Sequence, residues 1–405
     1  MTRSRGDIAV LGMGLITALG SDAETNWASL RAGRSGARLI DSFETDGLPT
    51  RFAAHVSDPR VDGRMPWRRM RQMATLVLDE AMRDAGLTPE DLRGRPARMF
   101  LATPHNEVLV TDRITVAAGE DDALGRQLLR GAFSTQLARE LMSEFGIGGA
   151  PVTVTTACAS AASAIQLAGD ALRRGEIEVA VVVTSDATVN PEGLVRFSLL
   201  SALSSRNDSP ETASRPFTAS RDGFVMGEGA AALILRRDPG PGTRVRGYVR
   251  GYGDATDNFH RTRSHPSGRA ITKCLAAALA DAGVGPEAIG YINAHGTSTP
   301  ENDKMEALGI REVFGAKAAL TPVSSSKSMI GHTLSAAGGV EAVVTLLALE
   351  RGFLPPTINH LDPDPDIALD VIPNVGRESN AALAMSNSFG FGGQNVSLIL
   401  ERPRL

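Results

Sequence analysis

The hydrophobic pattern of this chain alternates between two kinds of segment. Short apolar runs, such as residues 98–102, 179–185 and 381–387, are typical of buried strands. Longer stretches with apolar residues at helical spacing, such as residues 73–83 and 270–280, predict amphipathic helices. Strands that alternate with helices predict the α/β class, with mostly parallel sheets covered by helices on their faces.

Two stretches of the chain repeat one another. Residues 84–92 read DAGLTPEDL and residues 281–289 read DAGVGPEAI, and each places a glycine at the end of a predicted helix. Each repeat is followed by a short predicted strand and by further strand–helix units. The sequence therefore predicts two related α/β halves, residues 1–240 and residues 241–405, that join near residues 239–242.

Cys158 lies where a run rich in β-branched residues gives way to small residues. This predicts a strand that delivers a nucleophile to a helix N-terminus, where free N–H groups and the helix dipole favour the thiolate. The segment alone leaves a second interpretation open, an inert buried cysteine. The repeat favours the nucleophile, because residues 153–174 correspond to residues 321–351, and this places Cys158 opposite the turn at His332.

Composition narrows the class of protein. Cys274, the other cysteine, lies within a predicted helix, and we interpret it as structural. A net charge of −4 gives no reason to expect nucleic-acid binding. Two distant cysteines exclude a disulfide framework and fit a reducing compartment. Without a signal-peptide core or an apolar run that spans a bilayer, a soluble cytoplasmic protein with no membrane partner is expected.

Further polar residues follow other predicted strands. His295 follows residues 290–294, and a glycine-rich turn lies at residues 390–393. His332 follows a cluster of serines that includes Lys327, and it is predicted to lie at the start of a second helix rich in small residues. Lys327 is one of only four lysines in the chain. A single histidine is usually structural, but this combination at the strand ends of a duplicated fold is typical of an active site.

The chain resembles the β-ketoacyl-acyl-carrier-protein synthases of the elongating type, within the thiolase superfamily. The resemblance covers essentially the whole chain and is carried by five motifs: VLGMG at residues 10–14, RPF at 215–217, RDGFVMGEG at 221–229, KSMIGH at 327–332 and GFGG at 390–393. It implies a thiolase-like duplicated α/β fold with five layers, α-β-α-β-α, and two mostly parallel or mixed sheets. The first half would carry the nucleophile and a capping and dimer region, and the second half the histidines, the lysine and a gating loop.

The resemblance implies a decarboxylative Claisen condensation through an acyl-cysteine intermediate. Cys158 would take an acyl group from a carrier thioester, and the enolate of a malonyl-carrier would then attack it. His295 and His332 would stabilise the enolate oxygen without a metal. The backbone N–H groups of Cys158 and Phe391 would bind the acyl oxygen, and the Phe391 side chain would act as a gate.

The resemblance also assigns supporting residues and partners. Lys327 would pair with Glu341 and orient the site. The substrate path would be lined by Thr297, Thr299, Phe197 and Phe389. No cofactor is expected, because the substrates would arrive on the phosphopantetheine arm of a separate acyl carrier protein. A homodimer through the edge of the first-half sheet is expected, or a heterodimer with a chain-length-factor-like subunit.

Some segments depart from the family pattern. Residues 103–107 are bulkier and more polar than the glycine-rich segment that often lines the acyl pocket, and Ser201 stands where fatty-acid enzymes often carry a carrier-binding arginine. Other candidates for the carrier contact are Arg68, Arg69, Arg126 and Arg130, although each is equally consistent with a solvated surface arginine. Fatty-acid elongation is the expected pathway, and the alternative is the ketosynthase subunit of a type II polyketide or polyene synthase.

Two further alternatives are disfavoured. A degradative thiolase needs a second active-site cysteine in a late glycine-rich motif, and no cysteine follows Cys274. A non-catalytic chain-length partner would lack the nucleophile, whereas this chain has Cys158 together with both histidines. Residues 104–140 and 187–222 have no counterpart in the second half, and we interpret them as a capping or subunit-contact region.

Overall fold

The computed structural model describes residues 7–63, 65–104, 109, 114, 125 and 134–404. In the described residues the strands, β1 to β15 in chain order, are Ile8–Thr17, Arg38–Leu39, Phe52–Ala53, Ala97–Ala102, Val152–Val154, Val179–Asp186, Gly229–Arg236, Gly247–Thr256, Ile289–Asn293, Pro322–Ser324, Phe353–Leu354, Asp370–Val371, Arg377–Glu378, Leu383–Phe389 and Gln394–Glu401. The described helices, α1 to α10, are Ala23–Arg31, Pro66–Asp84, Pro89–Leu92, Ser134–Glu144, Ser160–Arg173, Pro191–Leu199, Arg269–Ala282, Pro300–Phe314, Lys327–Ile330 and Ala337–Arg351.

The strand order shows the internal duplication. In the first half the order is β5-β4-β6-β7-β1, and in the second half it is β10-β9-β14-β15-β8, so each strand has a counterpart at the same place. In both halves the outer strands pair in parallel and the inner ones antiparallel. The two predicted half-sheets are hydrogen-bonded into one, because residues 8–10 of β1 pair antiparallel with residues 247–249 of β8.

The helices form three layers around these half-sheets. Helices α5 and α10 contact each other and contact strands of both halves, so they form the central layer. Helix α2 covers the outer face of the first half and α7 the outer face of the second. In α10 every residue from Ala337 to Leu349 is buried, as expected for a helix enclosed on all sides. The expected five-layer α/β fold is confirmed.

Glycines let the outer helices lie directly against the sheet in both halves. In β1, a Cβ added at Gly14 would come within 2.0 Å of the backbone oxygen of Val77 in α2. In β8, a Cβ added at Gly253 would come within 2.3 Å of the backbone nitrogen of Ala278 in α7. Each half therefore uses the same device, a strand without a side chain at the point where a helix backbone crosses it.

The predicted elements are present with shifted ends. The predicted helix at residues 73–83 begins earlier, at Pro66, where the ring occupies the first helical turn. The predicted helix start at His332 is wrong, since α9 ends at Ile330 and α10 begins at Ala337. Gly331 has φ of 67° and breaks the helix there. His332 therefore lies in a loop between two helices.

The predicted capping region is only partly described. Most of residues 104–140 lies outside the described residues, apart from the start of α4 and a few single positions. Residues 187–222 form α6 and irregular segments around it. Among the described residues, no helix combines the length and the apolar character needed to cross a membrane.

The glycine contacts predict a specific loss of stability. We expect Gly14→Ala and Gly253→Ala each to lower the free energy of unfolding by about 1–3 kcal/mol, because the helix backbone has to move away from the added methyl group. Gly148→Ala is the matched control, since nothing lies within 4 Å of the added Cβ. Urea unfolding measures all three variants, and equal stability of Gly253→Ala and Gly148→Ala would contradict the packing argument.

Candidate active site

Cys158 lies in a tight turn between β5 and α5, at the end of a strand as predicted. Ala157, just before it, has φ of 48°, an unusual conformation for a residue with a side chain. Ser160 closes the turn, since its hydroxyl donates to the Ala157 carbonyl (2.6 Å) and accepts from the Thr156 N–H (2.8 Å). Local strain of this kind is common at functional sites, where the surrounding structure holds the backbone in place.

The environment of Cys158 differs from the one predicted. The side chain is only 8% exposed, and burial raises the pKa of the Cys158 thiol to about 11. The backbone N–H of Phe391 and the charge of Lys327 act in the opposite direction but are outweighed. The thiol, and not the expected thiolate, is therefore the resting form, because loss of hydration outweighs the Phe391 N–H and the charge of Lys327.

Cys274 is structural, as predicted. It is buried in α7, where its thiol lies 3.3 Å from the Gly253 carbonyl and 3.4 Å from the Ser397 hydroxyl. Burial raises the pKa of this thiol to about 12. It lies in the hydrophobic cluster of the second half, away from the residues around Cys158.

The two histidines lie beside each other at the strand ends. The centroids of the His295 and His332 rings are 5.2 Å apart and the rings are nearly perpendicular. Each residue is 2% exposed. Burial, together with the charge of Lys327, lowers the pKa of both imidazoles well below the usual value, so both are neutral near pH 7.

Hydrogen bonds select the same tautomer for both rings. The side-chain nitrogen of Lys327 lies 3.3 Å from Nδ1 of His295 and donates to it. The backbone N–H of Leu334 donates to Nδ1 of His332 over 3.2 Å. We therefore assign the proton of each neutral ring to Nε2. Each histidine presents an N–H donor, and neither has an unshared nitrogen lone pair with which to act as a base.

Lys327 is held by the carboxylate expected from the resemblance. Its side-chain nitrogen bonds to Oε1 of Glu341, and both side chains are 1% exposed. Burial raises the pKa of Glu341 to about 7, while Lys327 opposes that shift. Lys327 contacts the His295 ring on one side and Glu341 on the other.

The remaining predicted residues surround one cavity of about 290 Å³. The cavity is lined by Cys158, both histidines, Phe391, Thr297, Thr299, Phe197 and Phe389. Glycines flank Phe391 in the turn between β14 and β15. Every predicted catalytic or substrate-binding residue except the buried pair Lys327 and Glu341 thus reaches the same space.

Three ring contacts and one hydrogen bond define the walls of this cavity. The rings of Phe389 and His295 lie 5.7 Å apart. Phe197 packs edge-on against Phe224, which packs edge-on against His332, with both centroid distances at 5.3 Å. The hydroxyl groups of Thr297 and Thr299 are hydrogen-bonded to each other at 2.9 Å.

Two buried acids that were not predicted also position the site. Glu306 in α8 accepts hydrogen bonds from the backbone N–H groups of His295 and Gly296 and from the Asn387 side chain. Asp186, at the end of β6, accepts from the backbone N–H groups of Thr188 and Ser335. Burial raises the pKa of Asp186 to about 6 and also raises that of Glu306.

For Glu306 the sequence carries only a weak signal. Asp303 and Glu306 are spaced i, i+3 on the face of α8 that also buries Met305 and Ile310. Acids on an otherwise apolar helix face suggest buried hydrogen-bonding partners. The sequence alone does not show that the partners are the backbone at His295.

The predicted carrier-contact arginines are not supported as a group. The prediction that Arg69 contacts the carrier is wrong, because its guanidinium forms an ion pair with buried Glu228 and its side chain is only 15% exposed. Arg68 is exposed and lies near Asp62, 3.4 Å away. Arg126 and Arg130 lie outside the described residues.

The departures from the family pattern lie close to the cavity. Ser201 lines it, and this residue has φ of 52°. Thr103, which follows β4, is buried. Residues 105–107 lie outside the described residues.

Comparison with known proteins agrees with this geometry. The family models "Beta-ketoacyl synthase, N-terminal domain" and "Beta-ketoacyl synthase, C-terminal domain" match residues 5–239 and 246–361. The chain is 33% identical to 3-oxoacyl-[acyl-carrier-protein] synthase 2 of Coxiella burnetii, over 98% of each chain. It is 34% identical to the tetracenomycin polyketide synthase ketoacyl synthase alpha subunit of Streptomyces glaucescens, over 98% of this chain and 97% of the relative.

Solved structures show the same fold. One solved structure is a type II polyketide synthase acyl-carrier protein in complex with its ketosynthase bound to the hexaketide. A chain of this complex superposes on the present chain with a TM-score of 0.89 and is 30% identical to it. The match covers 98% of this chain and 100% of that one. The ishigamide ketosynthase/chain length factor superposes with a TM-score of 0.88, at 34% identity, covering 99% and 100%. With its two matched domains, full-length relatives and shared fold, this chain belongs to the β-ketoacyl synthase family.

Proposed function

We propose that this enzyme joins an acyl thioester to a malonyl thioester by decarboxylative Claisen condensation through an acyl group on Cys158. The observation that carries the proposal is the arrangement around the cavity. One thiol and two neutral imidazoles, both protonated at Nε2, line the same enclosed space. A nucleophile beside two neutral donors suits chemistry that first forms a thioester and then stabilises an enolate.

The first step transfers the acyl group. The sulfur of Cys158 attacks the carbonyl carbon of the incoming thioester, a new C–S bond forms, and the bond to the sulfur of the carrier arm breaks. Because neither histidine has a free lone pair, the thiol proton of Cys158 passes to the departing sulfur. The Phe391 N–H that contacts the Cys158 sulfur, together with the Cys158 N–H, is positioned to bind the acyl oxygen.

The second step forms the carbon–carbon bond. Carbon dioxide leaves the malonyl group, and the electrons of the broken bond move onto the thioester oxygen as an enolate. The Nε2–H groups of His295 and His332 stabilise this charge by hydrogen bonding in a site from which water is largely excluded. The enolate carbon then attacks the acyl carbonyl and the C–S bond breaks. The sulfur of Cys158 leaves as a thiolate and takes up a proton from solvent.

Lys327 acts as a positioning residue in this mechanism. Its nitrogen holds Nδ1 of His295 as an acceptor, and its charge adds to the effect of burial in lowering the pKa of both imidazoles. Glu341 balances that charge inside the protein, where an isolated ammonium would be costly. The pair thus maintains His295 as a neutral N–H donor.

The substrates fit a carrier-borne supply. We infer that the enzyme needs no cofactor of its own and that the thioesters arrive on the phosphopantetheine arm of a separate acyl carrier protein. Thr297 and Thr299 line the cavity and offer hydroxyl groups to the amides of that arm. Two free thiols persist in a reducing compartment, and we place the enzyme in the cytoplasm.

Fatty-acid elongation is the pathway that we propose, with a specialised pathway as the second candidate. The curated relatives include 3-oxoacyl-[acyl-carrier-protein] synthases. They also include polyketide ketoacyl synthases, and a structural neighbour is a ketosynthase/chain length factor. The departures at Ser201 and at residues 103–107 are compatible with the second candidate, a ketosynthase that works with a chain-length-factor-like partner.

Loading of Cys158 tests the proposed function directly. We expect the protein, incubated with acyl-carriers that differ in length and unsaturation, to gain the mass of one acyl group, since Cys158 is the nucleophile in the cavity. Intact-protein mass spectrometry measures the gain and identifies the preferred chain. Cys158→Ala should gain none and should lose condensation, whereas Cys274→Ala should load normally. Condensation by Cys158→Ala would show that the nucleophile is another group.

The histidines should affect the two steps unequally. We expect His295→Ala and His332→Ala to slow decarboxylation of malonyl-carrier by about 10²–10³-fold, because each removes one donor to the enolate oxygen. Both variants should still form acyl-Cys158. Release of carbon dioxide and intact mass measure the two steps separately. Failure of either variant to load an acyl group would mean that the imidazole takes part in the first step.

The low pKa of both histidines predicts how the decarboxylation rate responds to pH. Because the pKa of both imidazoles lies well below the usual value of 6.5, histidine protonation should not lower the decarboxylation rate between about pH 8 and about pH 6.5. Buried Glu341, with a pKa of about 7, does titrate in this range. A fall in rate that persists in Glu341→Gln as the pH approaches about 6.5 would therefore indicate a histidine that gains a proton there.

The exposed edge of the sheet predicts a dimer. Strand β5 ends the sheet order, so among the described strands one of its sides has no partner. We expect light scattering at micromolar concentration to give twice the chain mass of 42.6 kDa. A monomer would contradict this prediction, and activity only with a co-expressed second subunit would favour the polyketide or polyene pathway.

A further inference from the structure

The mouth of the Cys158 cavity has two rims of different character. One rim is the end of α6, where Leu200 and Ser201 line the cavity and neighbouring Leu199 is 81% exposed. The other rim is the loop at residues 257–265, which contributes Arg261 and Arg263. Among the described residues that line the cavity, positive charge therefore lies on the loop, since Arg196, in the last turn of α6, is exposed but is not part of the cavity lining.

The two arginines are free to bind a ligand. Arg261 and Arg263 are exposed, and neither forms an ion pair with any described residue. Most arginines elsewhere in the fold, such as Arg69 and Arg246, are held by acids. Two unpaired guanidinium groups beside the same opening form a local concentration of positive charge.

Acidic residues at the mouth do not cancel this charge. The carboxylate of Asp257 is buried and accepts hydrogen bonds from the backbone N–H groups of Phe259 and His265. Glu301, in the first turn of α8, also lines the cavity, but it forms no ion pair with either arginine. Among the described residues that line the mouth, two arginines thus face one partly exposed acid.

The loop that carries the arginines is structurally defined. Its start is fixed to the Phe391 turn, because the Asp257 N–H donates to the Gly393 carbonyl at 2.7 Å. The Gly392 N–H donates to the carbonyl of Arg261, also at 2.7 Å. The two guanidinium groups are therefore anchored at the rim through their backbone, and their side chains extend from a fixed base.

We propose that Arg261 and Arg263 bind the phosphodiester of the carrier's phosphopantetheine arm and so select carrier-borne thioesters at the cavity mouth. The arm has a thioester at one end and an anionic phosphate at the other, which matches a cavity with a thiol inside and arginines outside. Guanidinium groups bind phosphate oxygens through charge-assisted hydrogen bonds. Ser201 is uncharged at a position where fatty-acid enzymes often carry an arginine. In this chain Arg261 and Arg263 supply positive charge from the opposite rim.

This inference rests on the proposed function, and its test uses a matched pair of ligands. Pantetheine and 4′-phosphopantetheine differ only in the phosphate, and calorimetric titration measures the binding of each. We expect the Arg261→Gln/Arg263→Gln double variant to bind 4′-phosphopantetheine about tenfold more weakly than the unmodified enzyme. Its affinity for pantetheine should not change. The difference should shrink in about 1 M salt, because the arginines are exposed to solvent.

A distant arginine provides the control variant. Arg83→Gln removes one exposed positive charge from α2, outside the cavity lining, and should bind both ligands as the unmodified enzyme does. Equal weakening of pantetheine and 4′-phosphopantetheine binding in the double variant would overturn the proposal, because the loop would then act only by its shape. Unchanged binding of 4′-phosphopantetheine would overturn it as well.

Kinetics separate this proposal from the proposed function. The double variant should acylate Cys158 more slowly from acyl-4′-phosphopantetheine, while acylation from acyl-pantetheine stays the same. Binding requires no condensation. Phosphate-dependent binding without any acyl transfer in the unmodified enzyme would therefore refute the proposed reaction and leave the arginine assignment in place.

Discussion

The active site depends on one buried ion pair. Lys327 and Glu341 are almost fully buried, and the lysine nitrogen also donates to Nδ1 of His295. Taking two charges out of water is costly, so such a pair is weak evidence for stability and better explained by what it organises. Here it makes His295 a neutral N–H donor, and the charge of Lys327 adds to burial in lowering the pKa of His332 as well.

This constraint explains why the site has donors and no base. With both Nδ1 atoms occupied by donors, the imidazoles present only Nε2–H groups. The high pKa of the Cys158 thiol is consistent with a nucleophile that exchanges its proton with the departing sulfur and does not wait as a thiolate. In the proposed mechanism the chemistry of both steps therefore follows from hydrogen bonding around the rings, whose burial strengthens each contact.

The duplicated fold brings these groups together. Cys158 follows β5 in the first half and Lys327 follows β10 in the second, at corresponding ends of the two half-sheets. The central helices α5 and α10 contact each other, and this holds the strand ends of both halves around one space. The glycine contacts of β1 and β8 support the same arrangement from outside, because they fix the outer helices against each half-sheet.

The sequence by itself determined the α/β class, the repeat and the identity of Cys158, His295, His332 and Lys327 as a set, since each of these depends on local pattern or motif. Only the tertiary structure decided the protonation of these groups, because burial and hydrogen-bond partners come from residues far apart in the chain. It also placed Arg69 in a mostly buried ion pair and showed that Glu306 accepts a hydrogen bond from the backbone N–H of His295. Charge at the cavity mouth likewise depends on which distant loops meet there, and no local pattern encodes that.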